Sequence, residues 1–328
     1  MTAIQRKSGR SILGRLLADE LVEEPLKTKR RLFLAAAFFF VAAVRIALFV
    51  WAQESAAFTT DFDLLYHSAI TLVDGTNPYR STPIHLKYPL FYPLPAVLVA
   101  LPFTALPIEL ARPAFDIAVG WIFAYALWRQ APYALLALLS GAYLFAMRAG
   151  QTTPMVVAAS LIPALGLLLT VKPNTGLACL IARPSRQAIL GGLAVLVLTV
   201  IVLPSWPLDW WTSIQHQSQH IRPPVLQPFG WLLLLAAFRW RTSGGRLLLA
   251  LAIIPQNTLP HELVPLVLIP GNTVEMAVYV IGSWVAVALT SVAMEQATSL
   301  SRLVSDVWVV LLLSVYLPAL FMVLRNRR

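Results

Sequence analysis

Residues 59–107 read TTDFDLLYHSAITLVDGTNPYRSTPIHLKYPLFYPLPAVLVALPFTALP. The stretch follows a long apolar run at 32–51 and interrupts it with acids, a turn and prolines before apolar sequence resumes. Thr60 and Asp63 stand three apart, the spacing of a capping box, so a helix is predicted to start at Asp61. Phe62, Leu65, Ala69 and Leu72 then share one face, and Asp63, His67 and Asp74 the other. A helix patterned this way lies along a membrane surface. Both aspartates sit where a helix dipole favours negative charge. That accounts for Asp63 and leaves Asp61 open to another task.

The rest of the chain sets the context. Of 328 residues, 58% are hydrophobic and 12% charged, against about 45–50% and about 25% in soluble domains. The expectation is an all-α, polytopic integral membrane protein with roughly ten transmembrane or half-membrane helices. It divides into a basic amphipathic segment (1–31), a single transmembrane domain (32–324) and a basic tail (325–328). Loops at 53–89 and 204–229 face away from the cytoplasm. Such a chain leaves little room for a soluble catalytic domain, so chemistry belongs to helix ends and loops. Most of the net charge of +10 lies before residue 32 and after residue 324. That is the distribution of cytoplasmic anchors and not of a nucleic-acid surface, and it sets both termini inside. A single cysteine, Cys179, excludes an internal disulfide.

Along the chain, 91–106 is expected to return across the membrane to a turn near Glu109 and Arg112, and 116–128 to cross again. Between 130 and 186 the apolar runs read equally as spans, half-spans or re-entrant hairpins. Pro154, Pro163 and Pro173 make broken helices natural there. Beyond Arg186 the trace is plainer: 187–203 rises, 231–238 descends, a short climb leads to Pro255, 263–270 descends, and helices at 274–292 and 304–324 close the chain with its end inside. Trp206, Trp210 and Trp211 open the second loop as an aromatic belt.

The order of motifs resembles a family. Asp61-Phe62, Tyr66 and Ala69 are followed by Gly75, Asn77-Pro78-Tyr79, then Tyr92-Pro93, Pro95-Ala96, Pro102 and Leu106-Pro107. This is similar to the first-loop signature of the GT-C glycosyltransferases. Glycosyltransferase family 87, the polyprenyl-phosphate-mannose-dependent mannosyltransferases, is the closest in pattern. Gly150-Gln151 resembles the family's GQ motif, Val171-Lys172-Pro173 its KP motif, and 257–263 a late polar turn. The stretch between Gln151 and Lys172 is shorter than is usual in the family.

The resemblance implies a GT-C fold whose first extracytoplasmic loop carries the amphipathic helix. It also implies an inverting transfer of a sugar, mannose in the family, from a polyprenyl-phosphate donor to a lipid-linked or cell-envelope glycan. The reaction would occur at the outer face of the plasma membrane, without metal or cofactor. Asp61 is then the general base, and Tyr66, Asn77, Tyr79 and Gln151 contact substrate. The leaving phosphate needs cations or fixed donors, for which Arg80, Lys87, Lys172, Arg222 and His261 are the candidates. Lys172 reads equally as a snorkelling lysine, and Arg80, Lys87 and Arg222 as ordinary loop charge. His261-Glu262 lacks the second histidine of a zinc-protease motif, position 265 being proline. His216, His220 and Asp209 have no specific metal-ligand spacing. Arg45 either snorkels or faces a donor cavity, Asp116 caps a helix, and Trp210 and Trp211 are the candidates for sugar stacking. A transporter or flippase, or a non-catalytic relative, fits the composition as well.

Overall fold

The computed structural model describes residues 60–81, 89–217, 221–296 and 300–326. The basic segment 1–31, the apolar run 32–51 with Arg45, the loop residues 53–59, Lys87, His220 and the last two residues lie outside the described residues. So does the side chain of His216.

The described chain is almost wholly helical, and prolines set its rhythm. Helix α1 (Asp61–Val73) begins at the capping box. Thr60 Oγ1 accepts from the Asp63 amide at 3.3 Å, and Asp63 Oδ2 accepts from the Thr60 amide at 2.7 Å. A short α2 (Leu94–Ala100) starts on Pro95, whose missing N–H costs nothing in a first turn. Helix α3 (Ile108–Gln130) is about 35 Å long at 1.5 Å per residue. It is long enough to cross an apolar layer of about 30 Å in one piece.

The segment 91–106, expected to return across the membrane, holds a helix of only twelve residues, short of a span's length, that lies beside α1. The Tyr66 hydroxyl donates to Leu106 O at 2.7 Å, and Arg112 pairs with Asp63 at 2.6 Å. At its other end the Tyr92 hydroxyl donates to Asp61, so both ends of the segment lie beside α1. The reason is local: Pro102 starts a 3-10 turn (Leu101–Ala105) that ends the helix after twelve residues. In the resulting hairpin Phe103 packs edge-on against both Phe62 and Phe115, and the last two rings stack on each other.

The stretch between 130 and 186 resolves into mixed spans. A 3-10 segment (Pro132–Leu139) continues into α4 (Gly141–Arg148). At 2.0 and 1.5 Å per residue the two cover about 28 Å and return the chain to α1. Helix α5 (Thr153–Leu161) and a 3-10 run (Pro163–Val171) then form a hairpin. Its ends meet where Lys172 Nζ donates to Thr153 Oγ1 at 2.8 Å. Helix α6 (Pro173–Ala182) leads away to Arg183. Helix α7 (Arg186–Val202) comes back and bends by 98° into α8 (Trp206–Gln217).

The later trace is helical at the expected places, but before residue 273 its segments are short. A 3-10 segment (Gly230–Arg239), helix α9 (Ser243–Ile253) and a 3-10 segment (Pro260–Leu268) follow one another. β1 (Ile221–Arg222) pairs antiparallel with β2 (Gln256–Asn257). Helices α10 (Thr273–Gln296), α11 (Leu300–Leu311) and α12 (Leu317–Arg325) close the fold, the last two joined through a π-helical turn. Gly282 of α10 lies against that turn so closely that a Cβ would stand 2.1 Å from Ser314 O. Close backbone approach of this kind is how helices pack without a hydrophobic driving force.

Among the described residues three helices are long and apolar enough to span a membrane: Ile108–Gln130, Thr273–Ala293 and Asp306–Arg325. The bent pair 186–215 adds a fourth if counted as one span. On α10, Val274, Val278, Ile281, Val285, Leu289 and Val292 form an exposed apolar stripe at helical spacing. These features are those of a multi-pass membrane protein.

Arg112 holds the hairpin through Asp63, which is 2% exposed. Arg112→Ala strands a buried carboxylate and is expected to cost about 3–5 kcal/mol. Arg80→Ala removes a pair whose arginine is 67% exposed and is expected to cost about 1 kcal/mol or less. Thermal unfolding in detergent checks the order. Equal losses would mean that Asp63–Arg112 does not anchor the hairpin.

Candidate functional site

The site is assembled at the start of α1 by the end of α4. Ala149 caps α4, and Gly150 follows in the left-handed region at φ +64°. The Gly150 amide donates to Met147 O at 3.2 Å and the Gln151 amide to Ala146 O at 2.9 Å. This pair of bonds is the Schellman stop, which favours glycine at its left-handed residue. It leaves Ala149 O to accept from the Asp61 amide at 3.0 Å. A Cβ on Gly150 would also stand 3.0 Å from Phe62 Cβ and 3.1 Å from Thr60 Cβ. The glycine is thus required twice, by its dihedral and by its contact.

That turn aims Gln151 at Asp61. Gln151 Nε2 and the Tyr92 hydroxyl both donate to Asp61 Oδ2, the latter at 2.5 Å. Among the described residues no donor reaches Oδ1, and Asp61 is half-buried. Behind Gln151 lies Lys172, 7% exposed. Its ammonium meets Gln151 Oε1 at 3.2 Å, Thr153 Oγ1 at 2.8 Å and Glu262 Oε1 at 3.0 Å. Three acceptors use all three of its protons. Glu262 Oε2 accepts from Thr175 Oγ1 at 3.4 Å, and His261 Nε2 lies 3.5 Å from Glu262 Oε1. His261 Nδ1 is buried with no partner among the described residues, and its ring lies over Phe145.

Of the residues singled out in the sequence, Asp61, Gln151, Lys172 and His261 are therefore brought into one connected network. Arg222, exposed on β1, borders a narrow cleft whose wall includes Glu262, Gln256, Trp308 and Tyr316. Asn77 and Arg80 belong to a neighbouring cluster. Asp209 on α8 accepts from Asn77 Nδ2 at 2.8 Å, Ser205 Oγ at 2.7 Å and Arg80 Nη2 at 2.9 Å. Tyr79 connects the two clusters, donating its hydroxyl to Tyr92 O at 2.9 Å. Tyr66 faces elsewhere, toward Leu106. Trp210 donates to Phe91 O at 2.9 Å, and Trp211 is exposed.

Three partners escaped the sequence reading: Tyr92, Thr153 and Glu262. Tyr92 belongs to a quoted motif but carries no charge to mark it. Glu262 adjoins His261, and the missing second histidine drew attention away from it. An acid in an otherwise apolar run was the available signal, since such groups are costly unless paired.

Four carboxylates each hold a cation: Asp63 with Arg112, Asp209 with Arg80, Glu262 with Lys172 and Glu275 with Arg325. Among the described residues Asp61 is held by neutral donors instead. Chemically it is an oriented, accessible acceptor, fit to take a proton. No family model, curated protein or solved structure matches the chain.

Two predictions follow from this geometry. Gly150→Ala is expected to lose about 1–2 kcal/mol from the left-handed dihedral and more from the displaced α1. A melting temperature equal to that of the parent would rule out the double requirement. The second concerns Asp209. Partial desolvation pushes its carboxyl up, but hydrogen bonds from Ser205, Asn77 and Arg80, with the Arg80 charge, outweigh that and hold it below the usual range. A depressed acid stabilises the fold above its unfolded pKa of about 3.9 and stops doing so as pH falls through its folded pKa. The protection factors of amides in 206–215, rates corrected for intrinsic exchange, are therefore expected to stay level from pH 8 to about 4 and to fall only below. In Asp209→Asn they are expected to be lower at pH 7 and not to change through that low-pH range.

Proposed function

We propose that this protein is an inverting GT-C glycosyltransferase with Asp61 as its general base. Its donor is a polyprenyl-phosphate sugar, mannose by the resemblance to family 87, and its acceptor a lipid-linked or cell-envelope glycan. In this reading the chain has about ten transmembrane or half-membrane segments and both termini are cytoplasmic. The site then opens on the outer face of the plasma membrane. The observation that carries the proposal is the half-buried Asp61 carboxylate, fixed through Oδ2 by two neutral donors, with Oδ1 met by no donor among the described residues.

The steps balance without a cofactor. An acceptor hydroxyl gives its proton to Asp61 Oδ1 as its oxygen attacks the anomeric carbon. The bond from that carbon to the phosphate oxygen breaks on the opposite side. Its electron pair leaves with the polyprenyl phosphate, so the configuration inverts. Protonated Asp61 then returns its proton to water. The leaving phosphate gains charge, which exposed cations beside the site stabilise. Arg222 at the cleft and Arg80 near Tyr79 are suited to this. Lys172 is less suited, its protons being committed to Gln151, Thr153 and Glu262.

A second reading draws on the buried Lys172–Glu262 pair with its histidine. Ionisable clusters inside membrane proteins also serve proton-coupled transport. One experiment separates the two. Proteoliposomes receive radiolabelled polyprenyl-phosphate mannose and a total lipid extract of the source cells. The parent chain is expected to form labelled glycolipid, and Asp61→Asn to lose about a hundredfold or more of that rate at unchanged expression. Undiminished transfer by Asp61→Asn would sink the assigned base. Uptake of label without any glycoside product would favour transport.

A further inference from the structure

Gln151 has two chemically different ends, and something must decide which faces Asp61. An ionised carboxylate only accepts hydrogen bonds, an ammonium only donates, and an amide does one at each end. Which way an amide points is settled by the groups around it. Here Lys172 Nζ stands 3.2 Å from Gln151 Oε1, so the oxygen faces the lysine and Nε2 is left for Asp61 Oδ2. Turning the amide over would set its oxygen against the carboxylate and its NH2 against the ammonium. Both contacts would be repulsive.

Lys172 is itself unable to swing aside. Thr153 Oγ1 and Glu262 Oε1 hold its other two protons at 2.8 and 3.0 Å, and Glu262 is braced by Thr175 and His261. The charged groups on the other elements around α1 leave this chain alone. Arg112 of α3 is bound to Asp63, and Arg80 to Asp209. The Tyr92 hydroxyl approaches the same Asp61 oxygen from the α2 side.

We infer that Lys172 is a positioning residue that acts on Asp61 through Gln151, and that it does not meet the donor phosphate. The relay runs Glu262 to Lys172 to Gln151 to Asp61. It locks the amide with its donor toward the base and keeps Oδ1 free for the acceptor hydroxyl. The inference rests on the reading of Asp61 as the base.

The test uses the full chain in the proteoliposome assay with polyprenyl-phosphate mannose. Lys172→Met is combined with Glu262→Gln so that no buried charge is stranded. This pair is expected to lower kcat by about tenfold to a hundredfold, as misplacement of a catalytic group does. The donor KM should stay within about twofold. In a Gln151→Met background the same pair should cost less than about twofold, because residues acting through one another are not additive. A donor KM raised about tenfold with kcat intact would overturn the inference and return Lys172 to the phosphate. A full loss in the Gln151→Met background would also overturn it. Should the paired variant not elute as folded protein, Thr153→Val frees Lys172 from one acceptor and carries the same comparison. An inactive parent chain, or an active Asp61→Asn, would instead refute the proposed function.

Discussion

The bond from the Asp61 amide to Ala149 O fixes the polar end of this molecule. It joins the first turn of α1 to the last turn of α4, two helix ends that would otherwise leave polar backbone groups unpaired in an apolar surrounding. Gly150 makes the bond possible by ending α4 in the left-handed region and by having no Cβ to hold Phe62 and Thr60 away. Once the two ends are joined, Gln151 donates to Asp61 and accepts from the lysine behind it. A single turn thus brings three side chains into line.

The second constraint is the desolvation of charge. Removing an ion from water costs several kcal/mol unless a partner compensates. Asp63, Glu262 and Glu275 are each nearly buried, and each is paired with a cation. These pairs also act as ties between elements: Asp63–Arg112 joins α1 to α3, Lys172–Glu262 joins the α6 start to Pro260–Leu268, and Glu275–Arg325 joins α10 to α12. Among the described residues Asp61 departs from the pattern, being met by neutral donors only. Asp61 and Asp63, two residues apart on one helix, thus stand in contrast, one oriented by neutral donors and the other paired with Arg112.

Much of this was legible in local sequence. The capping box predicted the start of α1 to the residue, because Thr60 and Asp63 are close along the chain. Gly150 and Lys172 were visible as motifs, although the Schellman stop behind the first was not. The segment 91–106 misled because its apolarity is real. It buries that surface in a hairpin against Phe62 and Phe115, with a helix short of a span's length. The prolines at 132, 154, 163, 173 and 260 marked where helices start, but a proline gives no sign of whether the chain then crosses or turns back.

What the sequence by itself determined is the helical membrane class, the helix starts and the basic and polar ends. Hydropathy, capping and proline effects act within a few residues, so a linear reading captures them. Only the tertiary structure decided that Asp61, Gln151, Lys172 and Glu262 meet, across separations of 90, 21 and 90 residues. No periodicity encodes such a meeting. It arises because polar groups stranded in an apolar interior have few partners, and packing determines which of them come within reach.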